Sequence, residues 1–198
     1  MKLLLHPLPV RLFHWIMFAA VMFLVITGLY LTDPWLTLPY GLIRKAHMLA
    51  GIILVLNFGG QVCYYLITGK YTEVLFTRHD LPNLRSFFRY TLFITETHPN
   101  YGRYNPGQKA LFTSWGLAVI VSGVTSLPYF LPEFASWLSL PVGGLVGTRI
   151  VFYGITIYFL ATIPLHLYLV FTEDPVKLQA MFSGYVNKEP TCKDRDKS

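Results

Sequence analysis

Four long apolar runs separated by polar segments organise the chain. The first goes from Leu12 to Leu31 and is interrupted by one histidine, His14, and by no residue of fixed charge. The second, His47 to Ile67, carries His47, Asn57 and Gln61 among Gly51, Gly59 and Gly60. Small residues of this kind let helices, or a flat ligand, approach closely. The third runs from Ala110 to Leu131, and the fourth from Ile150 to Phe171 with His166 as its one histidine. Each matches the roughly 20 residues that a helix needs to cross a bilayer. The pattern therefore predicts an all-α membrane protein, one domain over residues 1–198 with four transmembrane helices. A signal peptide is a poor description of the first run, which is too long and is not closed by a small-residue cleavage site.

Composition agrees and narrows the classes. Apolar residues make up 54% of the 198 and charged residues only 13%, with mean hydropathy +0.47, whereas soluble domains carry about 25% charged residues. Too little polar surface remains for a disordered, coiled-coil or nucleic-acid-binding protein. The net charge of +6 acts as a topology signal. Lys and Arg number thirteen on the side of the two termini and the second loop, against three on the other side. The positive-inside rule then predicts both termini and the long second loop in the cytoplasm of a bacterial or archaeal cell, with the chain multi-pass in its cytoplasmic membrane and no acidic partner needed.

Within that loop, Leu81, Leu84, Phe87, Phe88 and Phe93 alternate with Asn83, Arg85, Arg89 and Glu96, which predicts an amphipathic segment in the headgroup region. Trp15, Trp35, Trp115 and Trp137 fall near the predicted span ends, where aromatic rings favour the interface. Cys63 and Cys192 are too few and too differently placed for a disulfide framework.

The candidate chemistry lies in the histidines. Intramembrane ionisable residues point to function by default. His14 lies two residues into a helix running outward, and His166 five residues from the end of a helix returning inward. At 1.5 Å per residue both sit near the cytoplasmic interface at similar depth. Two imidazoles on facing helices suit a bis-histidine b-type haem; zinc would want a third ligand. Arg11, three residues before His14, is placed either to meet a haem propionate or to serve as a positive-inside anchor. Gly28 and Gly51 are candidates for relieving crowding around a porphyrin or for helix packing.

His47 lies at the opposite side of the membrane. A partner for a second haem would stand about four turns above His166, where the chain has Phe152, which cannot ligate iron. The outer site is then empty, or holds a five-coordinate haem, or takes a ligand from another subunit. Met48 is adjacent to His47 and cannot reach the opposite face of the same haem. His6, His79 and His98 fall on the cytoplasmic side.

The stretch His6-Pro-Leu-Pro-Val-Arg-Leu-Phe-His14-Trp15, followed by Ile26-Thr27-Gly28, resembles the opening of the membrane cytochrome b subunits of respiratory nickel-iron hydrogenases, formate dehydrogenases and thiosulfate reductases. Lys45-Ala-His47-Met-Leu-Ala-Gly51 is similar to their second-helix haem motif. Tyr104-Asn105-Pro-Gly107-Gln108-Lys109 resembles the formate dehydrogenase type, and Pro164-Leu-His166-Leu-Tyr168, running on to Glu173-Asp174, the hydrogenase type. The resemblance implies a four-helix bundle with b haems between the helices, fed by an iron-sulfur partner beside a catalytic subunit, and delivering electrons to a quinone. It assigns His14 and His166 to the cytoplasmic-side haem, His47 to the outer haem, and Asn105, Gly107 and Gln108 to the quinone pocket; Phe152 departs from the pattern. Asn105 and Gln108 would offer amide donors to a headgroup, with Lys109 or Glu96 relaying protons.

The function expected is electron transfer, with substrate chemistry in partner subunits. The competing reading is a haem-free membrane anchor for a soluble oxidoreductase, which an absence of b-type absorption would favour. A transporter is disfavoured, because no predicted span carries Asp, Glu, Lys or Arg in its interior.

Overall fold

A computed structural model describes residues 2–95, 101, 103–173 and 175–187. Glu96, His98, Asp174 and Cys192 lie outside these. In chain order the elements are β1 (Lys2–Leu4), α1 (Leu8–Thr32), α2 (Tyr40–Ile67), α3 (Tyr71–Val74), a 3₁₀ turn (Arg78–Asp80), α4 (Leu81–Thr91), α5 (Pro106–Phe130), α6 (Pro132–Ala135), a second 3₁₀ segment (Ser136–Val142), α7 (Gly144–Glu173), α8 (Pro175–Ser183) and β2 (Tyr185–Asn187). The long helices α1, α2, α5 and α7 are the four predicted spans. Only 22%, 17%, 17% and 6% of their most apolar windows are buried within the protein, so most of their apolar surface faces outward, as lipid-facing helices require.

Local chemistry sets the helix limits. Pro9 stands in the first turn of α1, where its missing N–H costs nothing, and Pro34 follows its end. Gly69, at φ +67, closes α2: its N–H bonds Leu66 O and the Lys70 N–H bonds Tyr65 O, the paired bonds of a glycine C-cap. Asn105 caps α5 and Pro106 opens it.

The helices reach further than the apolar runs. The second begins at Tyr40, not His47, so that Arg44 and Lys45 are helical and His47 sits two turns in; the fourth begins at Gly144, before Arg149. Hydropathy marks where the hydrocarbon lies, whereas the hydrogen-bond ladder continues through the headgroup layer, where long basic side chains reach water.

The four spans meet on Ala20, Val21 and Val25 of α1, Leu54 of α2, Val119 of α5 and Phe159 of α7. Close approach is set by glycine. A Cβ on Gly60 would lie 3.1 Å from the Phe13 ring, and one on Gly116 3.2 Å from Phe58. Asn57 Nδ2 donates to Phe13 O at 3.0 Å, tying α2 to α1.

The first and last described elements meet. β1 and β2 pair antiparallel with Leu3 opposite Val186, a small departure from an all-α fold. Arg11 donates to Met181 O and Phe182 O, and Trp15 Nε1 donates to Met181 O. This end of the bundle is called inner below.

The amphipathic segment is α4, and it is divided in its allegiance. Phe87 is buried against Leu111 and Leu169, while Leu81 and Phe88 are exposed. Phe93 lies beyond the helix in a left-handed conformation, φ +58, so it belongs to the turn and not to the apolar face.

Candidate functional site

His14 and His166 come together at the inner end of α1 and α7. The two imidazoles are close enough to interact electrostatically, and aromatic rings surround them. Trp15 stands edge-on to His14 at 5.0 Å between centroids, and Trp115 and Phe112 of α5 approach His166 at 5.2 and 6.1 Å. Trp115 is fixed in turn, its indole N–H donating to Thr162 Oγ1 at 2.9 Å. In each histidine the buried nitrogen is Nδ1, and it has no hydrogen-bond partner. A histidine serving only to tie helices together would spend that nitrogen on a bond. Here Nε2 is left as the accessible nitrogen of both rings. The donor set, two neutral imidazoles in an apolar aromatic wall, fits a haem iron held axially from two helices.

The outer half is built differently. His47 Nδ1 lies 2.7 Å from Thr27 Oγ1, and Thr27 is buried. A Cβ on Gly28 would reach only ordinary contact, 3.5 Å, with both His47 Cε1 and Thr156 Oγ1. The protein alone would thus accept alanine there. One turn along α7 from Thr156 stands Phe152, whose carbonyl accepts from Thr156 Oγ1 and whose ring packs on Tyr129. Two tyrosines near this end are engaged: Tyr30 donates to Leu36 O and Leu38 O, and Tyr129 to Leu145 O. One imidazole, with its Nδ1 engaged inside the protein, fits a ligand for haem iron.

Asn105, Gly107 and Gln108 lie where α5 begins. Gln108 N–H donates to Asn105 Oδ1 at 2.7 Å and Asn105 N–H to Gln108 Oε1 at 3.2 Å, a reciprocal capping box. Both side chains are buried. Gly107 seats the Phe87 ring so closely that a Cβ there would overlap it. The segment reaches the inner histidines through rings: Tyr104 meets Phe112 at 5.3 Å, and Phe112 meets His166.

Beside it lies a polar cluster. Arg103 bonds Glu73 Oε2 at 3.0 Å, places a second nitrogen 3.1 Å from His6 Nδ1, and stands over the Tyr104 ring. Arginine can only donate, so His6 Nδ1 is the acceptor. Burial opposes the Arg103 charge, but Tyr104 and Glu73 outweigh it and hold the guanidinium above its ordinary value. Lys109 Nζ pairs with Asp80 Oδ1 at 2.9 Å. Burial raises Asp80, yet the bonds from Lys109 and from the Thr77 N–H and hydroxyl prevail and hold the carboxyl below its usual range.

The structure thus brings His14 and His166 together, keeps His47 apart in the other half, and sets Arg11 against the carbonyls that end α8. Trp115 and Thr27 escaped the sequence reading. Trp115 read as an interfacial ring, and Thr27 entered only within the Ile26-Thr27-Gly28 stretch of the resemblance; a hydroxyl one residue before a glycine, at the depth of His47, was the available signal.

The model of the family described as prokaryotic cytochrome b561 matches residues 5–184. The chain is similar to a probable Ni/Fe-hydrogenase B-type cytochrome subunit of Azotobacter vinelandii, 26% identical over 96% of this chain and 88% of that protein. It is 24% identical to the subunit of the same name in Cupriavidus necator over 96% and 87%. It is also similar to the formate dehydrogenase cytochrome b556 subunit of Haemophilus influenzae, 26% identical over 86% and 71%. A match across nearly the whole chain, including all four spans and the three intramembrane histidines, makes this protein a member of the prokaryotic cytochrome b561 family, and so a multi-pass b-type cytochrome.

Proposed function

We propose that this chain is the membrane-anchoring cytochrome b subunit of a respiratory oxidoreductase complex, passing electrons between an iron-sulfur partner subunit and the quinone pool. The observation that carries the reading is the His14–His166 pair: two imidazoles from different spans, near each other, with neither buried Nδ1 hydrogen-bonded. Haem b supplies the one-electron chemistry when bound. His14 and His166 would hold it at the inner end, and His47 would provide an axial ligand at the outer end. Trp15, Phe112 and Trp115 flank the inner pair and restrain the two rings. No residue of this chain is assigned a catalytic role; the redox partner, hydrogenase or formate dehydrogenase, carries the substrate chemistry. The excess of Lys and Arg supports a cytoplasmic location for the inner end, in a bacterial or archaeal inner membrane.

The quinone is proposed to approach at the inner end, by the Asn105–Gln108 turn. The capping box occupies both amide oxygens as acceptors, and the Gln108 amide NH₂ is a donor of the kind that a quinone carbonyl needs. Lys109, held by the buried Asp80, is the basic group nearest to this turn in sequence and would relay protons from water. Arg11, engaged with the end of α8, is proposed to brace the inner site and to meet a propionate only through the face of its guanidinium that the carbonyls leave.

The test is haem content and quinone reduction in His14→Ala and His166→Ala. Loss of the inner haem together with quinone reactivity in both variants supports the reading. Unchanged visible spectra would overturn it in favour of a haem-free anchor.

A further inference from the structure

Resting on the reading of His47 as an iron ligand, we propose that Thr27 is its positioning residue: the Thr27 hydroxyl fixes His47 as the Nδ1–H tautomer and so presents a bare Nε2 to iron. The argument is a count of protons. Thr27 Oγ1 has one hydrogen and three close neighbours: Phe23 O at 2.6 Å, Leu24 O at 3.4 Å and His47 Nδ1 at 2.7 Å. A carbonyl carries no hydrogen, so the 2.6 Å contact between two oxygens holds only if the hydroxyl proton lies along it. That proton is then spent. The remaining 2.7 Å contact, hydroxyl oxygen to imidazole nitrogen, needs its own hydrogen, which comes from Nδ1. In a neutral imidazole the other nitrogen, Nε2, then carries the lone pair.

The helix gives this chain of bonds its direction. Phe23 is one turn before Thr27 on α1, and its carbonyl lies within reach of the Thr27 hydroxyl, as is usual for threonine in a helix. The hydroxyl oxygen then faces α2. Thr27 is 6% exposed, so water does not compete for the bond. Gly28, next in sequence, lies against the same ring, where a Cβ would be in ordinary contact with His47 Cε1 at 3.5 Å. Hydrogen-bonded outer partners orient metal-ligating histidines, and losing them typically weakens affinity about 10–100-fold.

The experiment compares Thr27→Val, a close isostere, and Thr27→Ser in the full-length protein with its haems, alongside His47→Ala. Haem loss to apomyoglobin and spectroelectrochemical titration are read, with the inner haem as internal control of folding. Thr27→Val is expected to release the outer haem about 10–100-fold more readily and to raise its midpoint potential, since the imidazole loses an acceptor that made it a stronger donor. The inner haem stays as it was, and Thr27→Ser restores both properties. If two haems are present and one depends on His47, but Thr27→Val changes neither its release nor its potential, the positioning role is overturned while the ligand reading stands. If His47→Ala removes no haem, the ligand reading itself fails and the inference falls with it.

Discussion

The two halves of the bundle hold their histidines in opposite ways. The inner pair, His14 and His166, is walled by Trp15, Phe112 and Trp115, with no hydrogen bond to either buried Nδ1. The outer His47 stands without a histidine across from it and is tethered through Nδ1 to a buried threonine. Two imidazoles facing one group restrain it from both sides, and ring packing is enough to aim them. A single imidazole has no counterpart, so a directional bond to its far nitrogen must set its angle and tautomer. The sequence difference beneath this contrast is one residue, Phe152, at the height where α7 would otherwise offer a fourth histidine.

The largest effect in breaking the comparison should come from the inner pair. His14→Ala or His166→Ala is expected to abolish the inner haem and quinone reduction together, read by pyridine haemochrome and a quinol assay, while an outer haem, bound elsewhere, remains. Next comes the open position. A haem held by His47 would meet Phe152 where α7 could offer a histidine, so the ferrous protein should bind carbon monoxide at one site; Phe152→His should end that binding and yield a second low-spin signal. Should the native protein refuse carbon monoxide while holding two haems, the missing ligand comes from another subunit.

A smaller effect sharpens the boundary of the inner half. Gly107→Ala pushes a methyl into the Phe87 ring, and overpacking of this kind costs about 1–3 kcal/mol. We expect a lower melting temperature with the inner haem spectrum retained. A normal melt would mean that α4 is not seated on α5 as described.

The smallest effect concerns pH. The Asp80 carboxyl is held low by Lys109 and Thr77. Its contribution is therefore present above the ordinary carboxylate range and is lost as pH falls through the depressed value. Asp80→Asn should remove that acid-side dependence and leave neutral-pH haem content unchanged, checked by melting curves across the acidic range.

How far the sequence disclosed this follows from the kind of force at each point. The spans were legible because twenty apolar residues have no stable place in water, and the depth of His14 and His166 followed from counting along two helices. Their ends were not legible, because the ladder of α2 runs on through Arg44 and Lys45 to Tyr40. The bonds of Arg11 to Met181 and Phe182 were not legible either, because the return of α8 to α1 is a long-range event that no local pattern encodes. Trp115 escaped for the same reason: its bond to Thr162 depends on which face of α5 meets α7. Phe152 was legible, since fourteen residues before His166 is nearly the same face of one helix, and it remains the residue on which the asymmetry turns.

The most direct measurement is haem per polypeptide in the intact complex, followed by redox titration of the native protein and of the His14→Ala and His47→Ala variants. The account predicts two b haems of distinct potential, one lost in each variant. A chain that keeps its full haem complement and spectrum without His14 would contradict it.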